Sequence, residues 1–145
     1  MEEYKKKNFI IAEILACVSF VLHTICVVTA ERGGSCAPAW VPKFNLIYWL
    51  KTISAAIGLF YFFISRVFSI KQIPRYISIS TLIILFYSIP IINTTFLLLF
   101  AIIFKIIRGS TFEYEDRIVI QIIWLIPALI VAIDILINLI KVRKK

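Results

Sequence analysis

The sequence predicts an all-α membrane protein with four transmembrane helices and both termini in the cytosol. Of its 145 residues, 61% are hydrophobic, above the roughly 45–50% of soluble domains, and the mean hydropathy is +0.97. Four long apolar segments, separated by short polar connections, contain most of these side chains. A single four-helix domain over 1–145 is expected, with spans at about 9–30, 46–68, 76–104 and 118–140.

The first span, 9–30, follows a polar start with lysines at 5–7, and Glu13 and His23 interrupt it. A secretory signal peptide is the alternative, because the start is basic and the Val-Thr-Ala sequence at 28–30 would serve as a cleavage site. The apolar stretch is longer than a normal signal core and carries an acidic residue. These two features favour a membrane helix that is retained.

A loop over 31–45, with turns at glycine and proline, leads to the second span, 46–68. Lys51 lies one turn inside this span. Its long side chain is expected to carry the ammonium outward to the lipid head groups rather than into a buried ion pair. Ser54 and Gly58 are four residues apart on one helix face, and two small residues at this spacing allow another helix to approach closely.

The third span, 76–104, follows a tight basic connection at 69–75, which makes it the antiparallel neighbour of the second span. As a helix, the uncharged stretch would be about 43 Å long, more than the ~30 Å of the hydrocarbon layer, which leaves length for tilt, a kink or an extension. Pro90 lies near its centre and predicts a bend, because proline removes a helix hydrogen bond. The polar residues 93–95 are expected to bond backbone groups freed by the proline or a neighbouring helix.

The connection at 105–117 is the most polar part of the chain, with acidic residues at 113, 115 and 116. A solvated loop is expected there rather than a metal site, because the alternating oxygen ligands and the glycine of a calcium loop are missing. The basic tail at 141–145 ends the chain in water. The fourth span, 118–140, contains Gln121, Trp124, Pro127, Asp134 and Asn138.

The distribution of lysine and arginine predicts the orientation. With both termini on one face, that face holds ten of the 16 basic residues and the other face holds six. The positive-inside rule therefore places both termini in the cytosol. The ten are Lys5, Lys6, Lys7, Arg66, Lys71, Arg75, Lys141, Arg143, Lys144 and Lys145, and the six are Arg32, Lys43, Lys51, Lys105, Arg108 and Arg117.

Glu13 and Asp134 are carboxylates expected at similar depth, near the cytosolic ends of the first and fourth spans. Ionisable residues inside a span are costly and mark functional sites by default. In one interpretation the pair shares a proton, with Asn138 on the same face as Asp134, and belongs to a relay or ion path. In the other, each carboxylate reaches head groups, Arg66 or the basic tail and serves helix packing. The second is favoured, since no polar ladder continues through all four spans.

His23 is the single histidine of the sequence, which excludes metal sites built from several histidines. We expect it to contact a neighbouring helix, facing Asn93 or Gln121. No catalytic, cofactor-binding or metal-binding residue is predicted, and no enzyme activity or small-molecule substrate. The net charge of +8 lies mostly beside the spans. It indicates anionic lipids at the cytosolic face rather than nucleic acid.

The cysteines do not form a redox or disulfide pattern. Cys17 and Cys26 lie in the first span, and Cys36 lies in a loop. No intrachain disulfide framework can be proposed from these positions. A four-span quinone-reductase type of enzyme would need a Cys-x-x-Cys pair, which this sequence lacks.

Several short motifs resemble those of small tetraspan proteins of the ciliary transition zone, most closely the transmembrane protein 107 family. Chain length, cytosolic ends, a lone loop cysteine and a lysine-rich end are shared features. The transmembrane protein 17, 138 and 216 group is a close alternative. The matching motifs are Gly34-Ser35-Cys36-Ala37-Pro38, Ile57-Gly58-Leu59-Phe60, Ile77-Ser78-Ile79 and Ile126-Pro127-Ala128.

The resemblance implies a structural, non-catalytic component of the ciliary transition zone. Such a protein supports cilium assembly and helps to restrict which membrane proteins enter, and its partners are other membrane and peripheral proteins of that module. A second hypothesis is a small proton-coupled carrier or ion-conducting oligomer that uses Glu13 and Asp134. A third is an endoplasmic-reticulum membrane assembly factor, because Lys141 and Arg143 stand where a basic retrieval signal would.

Overall fold

The computed structural model describes residues 1–29, 45–109 and 114–144. Helices account for 91% of these residues, and none of them is in a strand. A short 3-10 helix, Val67–Ser69, follows the second α-helix. The α-helices are α1 (Glu2–Thr29), α2 (Asn45–Ser65), α3 (Arg75–Tyr87), α4 (Pro90–Arg108) and α5 (Tyr114–Arg143).

In the described part of the chain, four helices are long and apolar enough to cross a membrane, namely α1, α2, α4 and α5. With 13 residues, α3 is about 20 Å long and too short to cross alone. The predicted class, an all-helical multi-pass membrane protein, is confirmed. The predicted first span lies within α1, apart from Ala30, which is outside the described residues.

The predicted third span is two helices rather than one bent helix. Ile89 between them has an extended backbone (φ −80°, ψ 127°), and Pro90 is the first residue of α4. A residue before proline is pushed out of the helical region by the proline ring, and proline is well suited to a first helical position because its missing N–H is not needed there. The proline therefore ends one helix and begins the next.

The start of α1 and the end of α5 lie at one end of the bundle, which we call the terminal end. The start of α1, the start of α3 and the end of α5 together line a pocket there. The opposite end, at which α1 finishes and α5 begins, is called the far end. The chain thus passes the bundle four times, with α3 and the start of α4 forming the third pass.

Small residues let the helices approach closely in the core. Ala12 and Ala16 of α1 are completely buried, as is Ala55 of α2. A Cβ atom added to Gly58 would come within 2.5 Å of Leu85 Cδ2 and 3.2 Å of Leu15 Cβ. The predicted small-residue face of α2 therefore contacts α1 and α3 of the same chain.

The helix α4 is the least enclosed of the five. Asn93 is its one buried residue in the described structure. At the far end, Arg108 donates a hydrogen bond to Asp116 of α5 at 2.7 Å, and its guanidinium lies 4.3 Å from the Phe104 ring centroid. These contacts attach α4 at both of its ends and leave most of its apolar surface outside the bundle.

Candidate functional site

Buried polar side chains form two groups at different depths. The first, here called the polar cluster, consists of His23, Thr24, Lys51, Tyr87, Asn93 and Gln121. The second, here called the carboxylate pair, consists of Glu13 and Asp134. Glu13 precedes His23 by ten residues of α1, so about 15 Å of helix separates the two groups.

His23 is the centre of the polar cluster and is 1% exposed. Its Nδ1 lies 3.3 Å from Lys51 Nζ, and its Nε2 lies 3.5 Å from Asn93 Nδ2. A lysine ammonium only donates, so Nδ1 accepts and a neutral ring carries its proton on Nε2. Asn93 completes the arrangement when its amide presents the oxygen to that N–H.

A second chain of hydrogen bonds joins α3, α5 and α1 at the same depth. The Tyr87 hydroxyl donates to Gln121 Oε1 at 3.3 Å. Gln121 Nε2 in turn donates to Thr24 Oγ1 at 2.8 Å. The Tyr87 ring meets the His23 ring edge-on at 4.8 Å and stacks on Trp124 at 4.6 Å. The two hydrogen-bond chains therefore meet at Tyr87, and all five helices contribute to the cluster.

Lys51 does not extend outward, so the prediction of a snorkelling side chain is wrong. The residue is 1% exposed, and its ammonium lies 5.0 Å from the Tyr48 ring centroid in addition to its contact with His23. The reason is the direction of the side chain, which leaves α2 on the face that packs against α1. There an imidazole acceptor and an aromatic ring replace part of the hydration of the ammonium.

His23 faces Asn93, as predicted. Asn93 also follows one of its two predicted roles, because it contacts a neighbouring helix. Sequence reasoning missed Tyr87 and the inward direction of Lys51. For Lys51, the position in the sequence could have indicated the contact. Lys51 is as many residues from the start of α2 as His23 is from the end of α1, so the two side chains lie at the same depth.

The carboxylate pair lies nearer the terminal end. Glu13 is 0% exposed, and neither of its oxygens has a hydrogen-bond partner in the described structure. Asp134 is the neighbouring carboxylate, close enough to share a hydrogen bond with Glu13 when one of the two acids carries a proton. Asn138 Nδ2 donates to Asp134 Oδ2 at 3.0 Å, so Asn138 shares the face of Asp134, as predicted. Arg66 and the described part of the basic tail form no ion pair with Glu13.

A pocket of about 250 Å³ lies at the terminal end, directly beside Asp134. Its basic residues are Lys6 of α1 and Lys141 of α5. Apolar side chains, including Ile73, form much of its wall. Glu13 lies one turn deeper along α1 than the wall residue Ile10. The pocket therefore reaches Asp134 from the terminal end, and Glu13 lies behind it.

Apolar side chains separate the carboxylate pair from the polar cluster. Ala16, Ile84, Leu85 and Val131 are completely buried between them. Several buried hydroxyl groups in the bundle bond to the backbone of their own helices, as Thr81 does to the Ile77 carbonyl at 2.9 Å. Such hydroxyl donors are already used within the helix.

Metal ligation has no candidate in the described residues, which contain no group of three or more His, Cys, Asp or Glu side chains suited to an ion.

Several residues of the sequence analysis lie outside the described ranges. They are Cys36 with its surrounding motif 34–38, Arg32, Lys43, Glu113 and Lys145.

Comparison with known protein families, with curated proteins and with solved structures finds no match to this chain. The resemblance to transition-zone tetraspans therefore stands on the short sequence motifs alone. Three of these motifs lie in helices, at 57–60 in α2, 77–79 in α3 and 126–128 in α5.

Proposed function

We propose that this chain is a non-catalytic structural component of a multi-pass membrane assembly, with cytosolic termini. The observation that carries the proposal is the polar cluster, whose donors and acceptors bond one another across all five helices. Polar groups that satisfy each other inside a membrane bundle hold helices together and fix their register. A substrate path instead presents polar groups to an open cavity.

The ciliary transition zone is the assembly we favour, and its support is the sequence resemblance. The cytosolic orientation is supported by the ten-to-six distribution of basic residues. Lys6 and Lys141 beside the terminal-end pocket, together with Lys71 and Arg75 beside a neighbouring pocket, are well placed for anionic head groups. We therefore propose anionic lipids and other transition-zone proteins as its partners.

The test is localisation of a tagged copy in a ciliated cell. A tight ring at the base of the cilium is expected, whereas a reticular pattern would favour the endoplasmic-reticulum assembly factor. Asp134→Lys should abolish the ring, because it places a third cation beside Lys6 and Lys141. The matched control is the Glu13→Gln/Asp134→Asn double variant, which keeps side-chain shape and should retain the ring. A wild-type protein spread evenly over membranes would contradict the proposal.

A proton-coupled carrier is the second candidate, and the unpartnered carboxylate of Glu13 favours it. The apolar layer between Glu13 and the polar cluster opposes it, because the buried Ala16, Ile84, Leu85 and Val131 offer no polar group to carry a proton onward. Proton flux into reconstituted vesicles separates the two candidates. Flux in the wild type that is lost in the correctly localised double amide variant would establish the carrier.

A further inference from the structure

Glu13 is the most unusual polar group of the described structure. Both carboxylate oxygens are buried, and no donor among the described residues reaches them. The side chain beside them is the Asp134 carboxyl, which can share a hydrogen bond with Glu13 only when one of the two acids carries a proton. An ionised carboxylate in such surroundings loses its hydration and gains nothing in return. The site therefore favours a neutral group, and the charge of a carboxylate is removed by binding a proton or balanced by binding a cation.

The groups around Glu13 favour the proton. Asp134 of α5 is a second carboxylate next to it, and Cys17 lies one turn further along α1. Asn138 directs its amide nitrogen at Asp134. A metal cation takes several oxygen ligands, and the described residues supply no cluster of three ligating side chains. Two carboxylates in an apolar layer instead tend to retain a proton between them.

A route for this proton is present at the terminal end. The pocket of about 250 Å³ is lined by Asp134 and Asn138, with Lys6, Tyr76 and Lys141 as its other titratable residues. Asp134 is half-buried, so it contacts both the pocket and the interior. A proton from pocket water can bind to Asp134 and then transfer to Glu13.

We propose that Glu13 is a proton-binding site, filled from the terminal end through the pocket that Asp134 lines. One proton leaves pocket water, passes to the Asp134 carboxylate and binds to a Glu13 oxygen, and its return reverses these steps. The buried Ala16, Ile84 and Leu85 close the site toward the far end. The site is therefore a proton-binding position that is open only toward the terminal end. This inference does not depend on which of the two proposed functions the protein has.

Infrared spectroscopy of the reconstituted full-length protein tests the site directly. A protonated carboxyl has a C=O stretching band that is separate from those of carboxylate and amide groups. The wild type should show this band at neutral pH, and Glu13→Gln should lose it. Glu3→Gln is the matched control, because Glu3 lies on the same helix with its side chain 85% exposed, and it should leave the band unchanged.

Asp134→Asn distinguishes which carboxyl holds the proton. The band should remain in this variant, since Glu13 stays buried and unpartnered. Glu13→Asp supplies a second variant in case the glutamine packs badly, and it should retain an acid band at a shifted position. Absence of the band in the wild type, its persistence in Glu13→Gln, or its loss in Asp134→Asn alone would overturn the assignment to Glu13.

Transfer to deuterated buffer tests the route. The Glu13 band should move to lower frequency as deuterium replaces the proton. Ile137→Trp places a large side chain in the wall of the pocket and should slow this exchange. Leu139→Trp is the control, because Leu139 is 55% exposed and does not line the pocket. Equal exchange rates in the two variants would overturn the terminal-end route.

Discussion

The polar cluster and the carboxylate pair both lie inside the bundle, but they differ in how their polar atoms are hydrogen-bonded. In the cluster, His23 and Gln121 each contact two partners from other helices. In the pair, no donor among the described residues reaches the Glu13 oxygens. A satisfied buried network stabilises and orients helices, whereas an unsatisfied group is a cost that a purely structural position avoids. We infer from the comparison that the far half of the bundle serves assembly and the terminal half serves binding.

Removal of the acceptor for Lys51 is expected to have the largest effect. His23→Leu leaves the lysine ammonium buried without the imidazole, and the free energy of unfolding should fall by about 3 kcal/mol. Thermal unfolding in detergent, followed by circular dichroism, measures the change.

The control for this prediction is a double-mutant cycle with Lys51→Met. The double variant should be more stable than His23→Leu alone, because the buried ammonium that has lost its imidazole acceptor is gone. Additive losses would show that the two side chains do not depend on each other, and the comparison would lose its main support.

The layer between the two groups should tolerate no added volume at Gly58. Gly58→Leu inserts a side chain where even a Cβ would approach Leu85 within 2.5 Å, so we expect a loss of about 2 kcal/mol or more. Ala56→Leu is the control, since Ala56 is exposed on the opposite side of α2 and should be close to neutral. Similar stability of the two variants would mean that the layer is loosely packed.

The smallest expected effect is at the turn beside the terminal-end pocket. Arg66 ends α2 in a left-handed conformation with φ 46°, which costs a non-glycine residue roughly 1 kcal/mol. Arg66→Gly should therefore raise stability by about that amount. Arg66→Ala removes the same charge without relieving the backbone, and it should give no gain. A gain in both variants would assign the effect to charge.

Much of this architecture follows from the sequence. Long apolar runs predicted the membrane helices. Counting turns from the helix ends predicted a similar depth for Glu13 and Asp134, and His23 was expected to face Asn93 or Gln121. These inferences succeed because depth in a membrane is proportional to position along a helix. The cytosolic orientation and the cellular role stay predictions.

It was harder to predict which neighbouring helix each face contacts. Lys51 turned inward because α1 supplies an imidazole at its depth, and nothing local to 46–68 encodes that neighbour. The pattern at Ser54 and Gly58 identified a close contact without identifying the helix that makes it. Pro90 predicted a deformation, but the extended backbone of Ile89 turned a bend into a break.

An exchange of acid and amide groups between the two regions tests the central claim most directly. Glu13→Gln replaces an unpartnered acid by an amide of the same shape, while Gln121→Glu removes the N–H that bonds Thr24. Thermal unfolding of both variants in one detergent gives the comparison. We expect Glu13→Gln to stay within about 1 kcal/mol of the wild type and Gln121→Glu to lose about 2 kcal/mol. A large loss in Glu13→Gln with a neutral Gln121→Glu would contradict the division into an assembling half and a binding half.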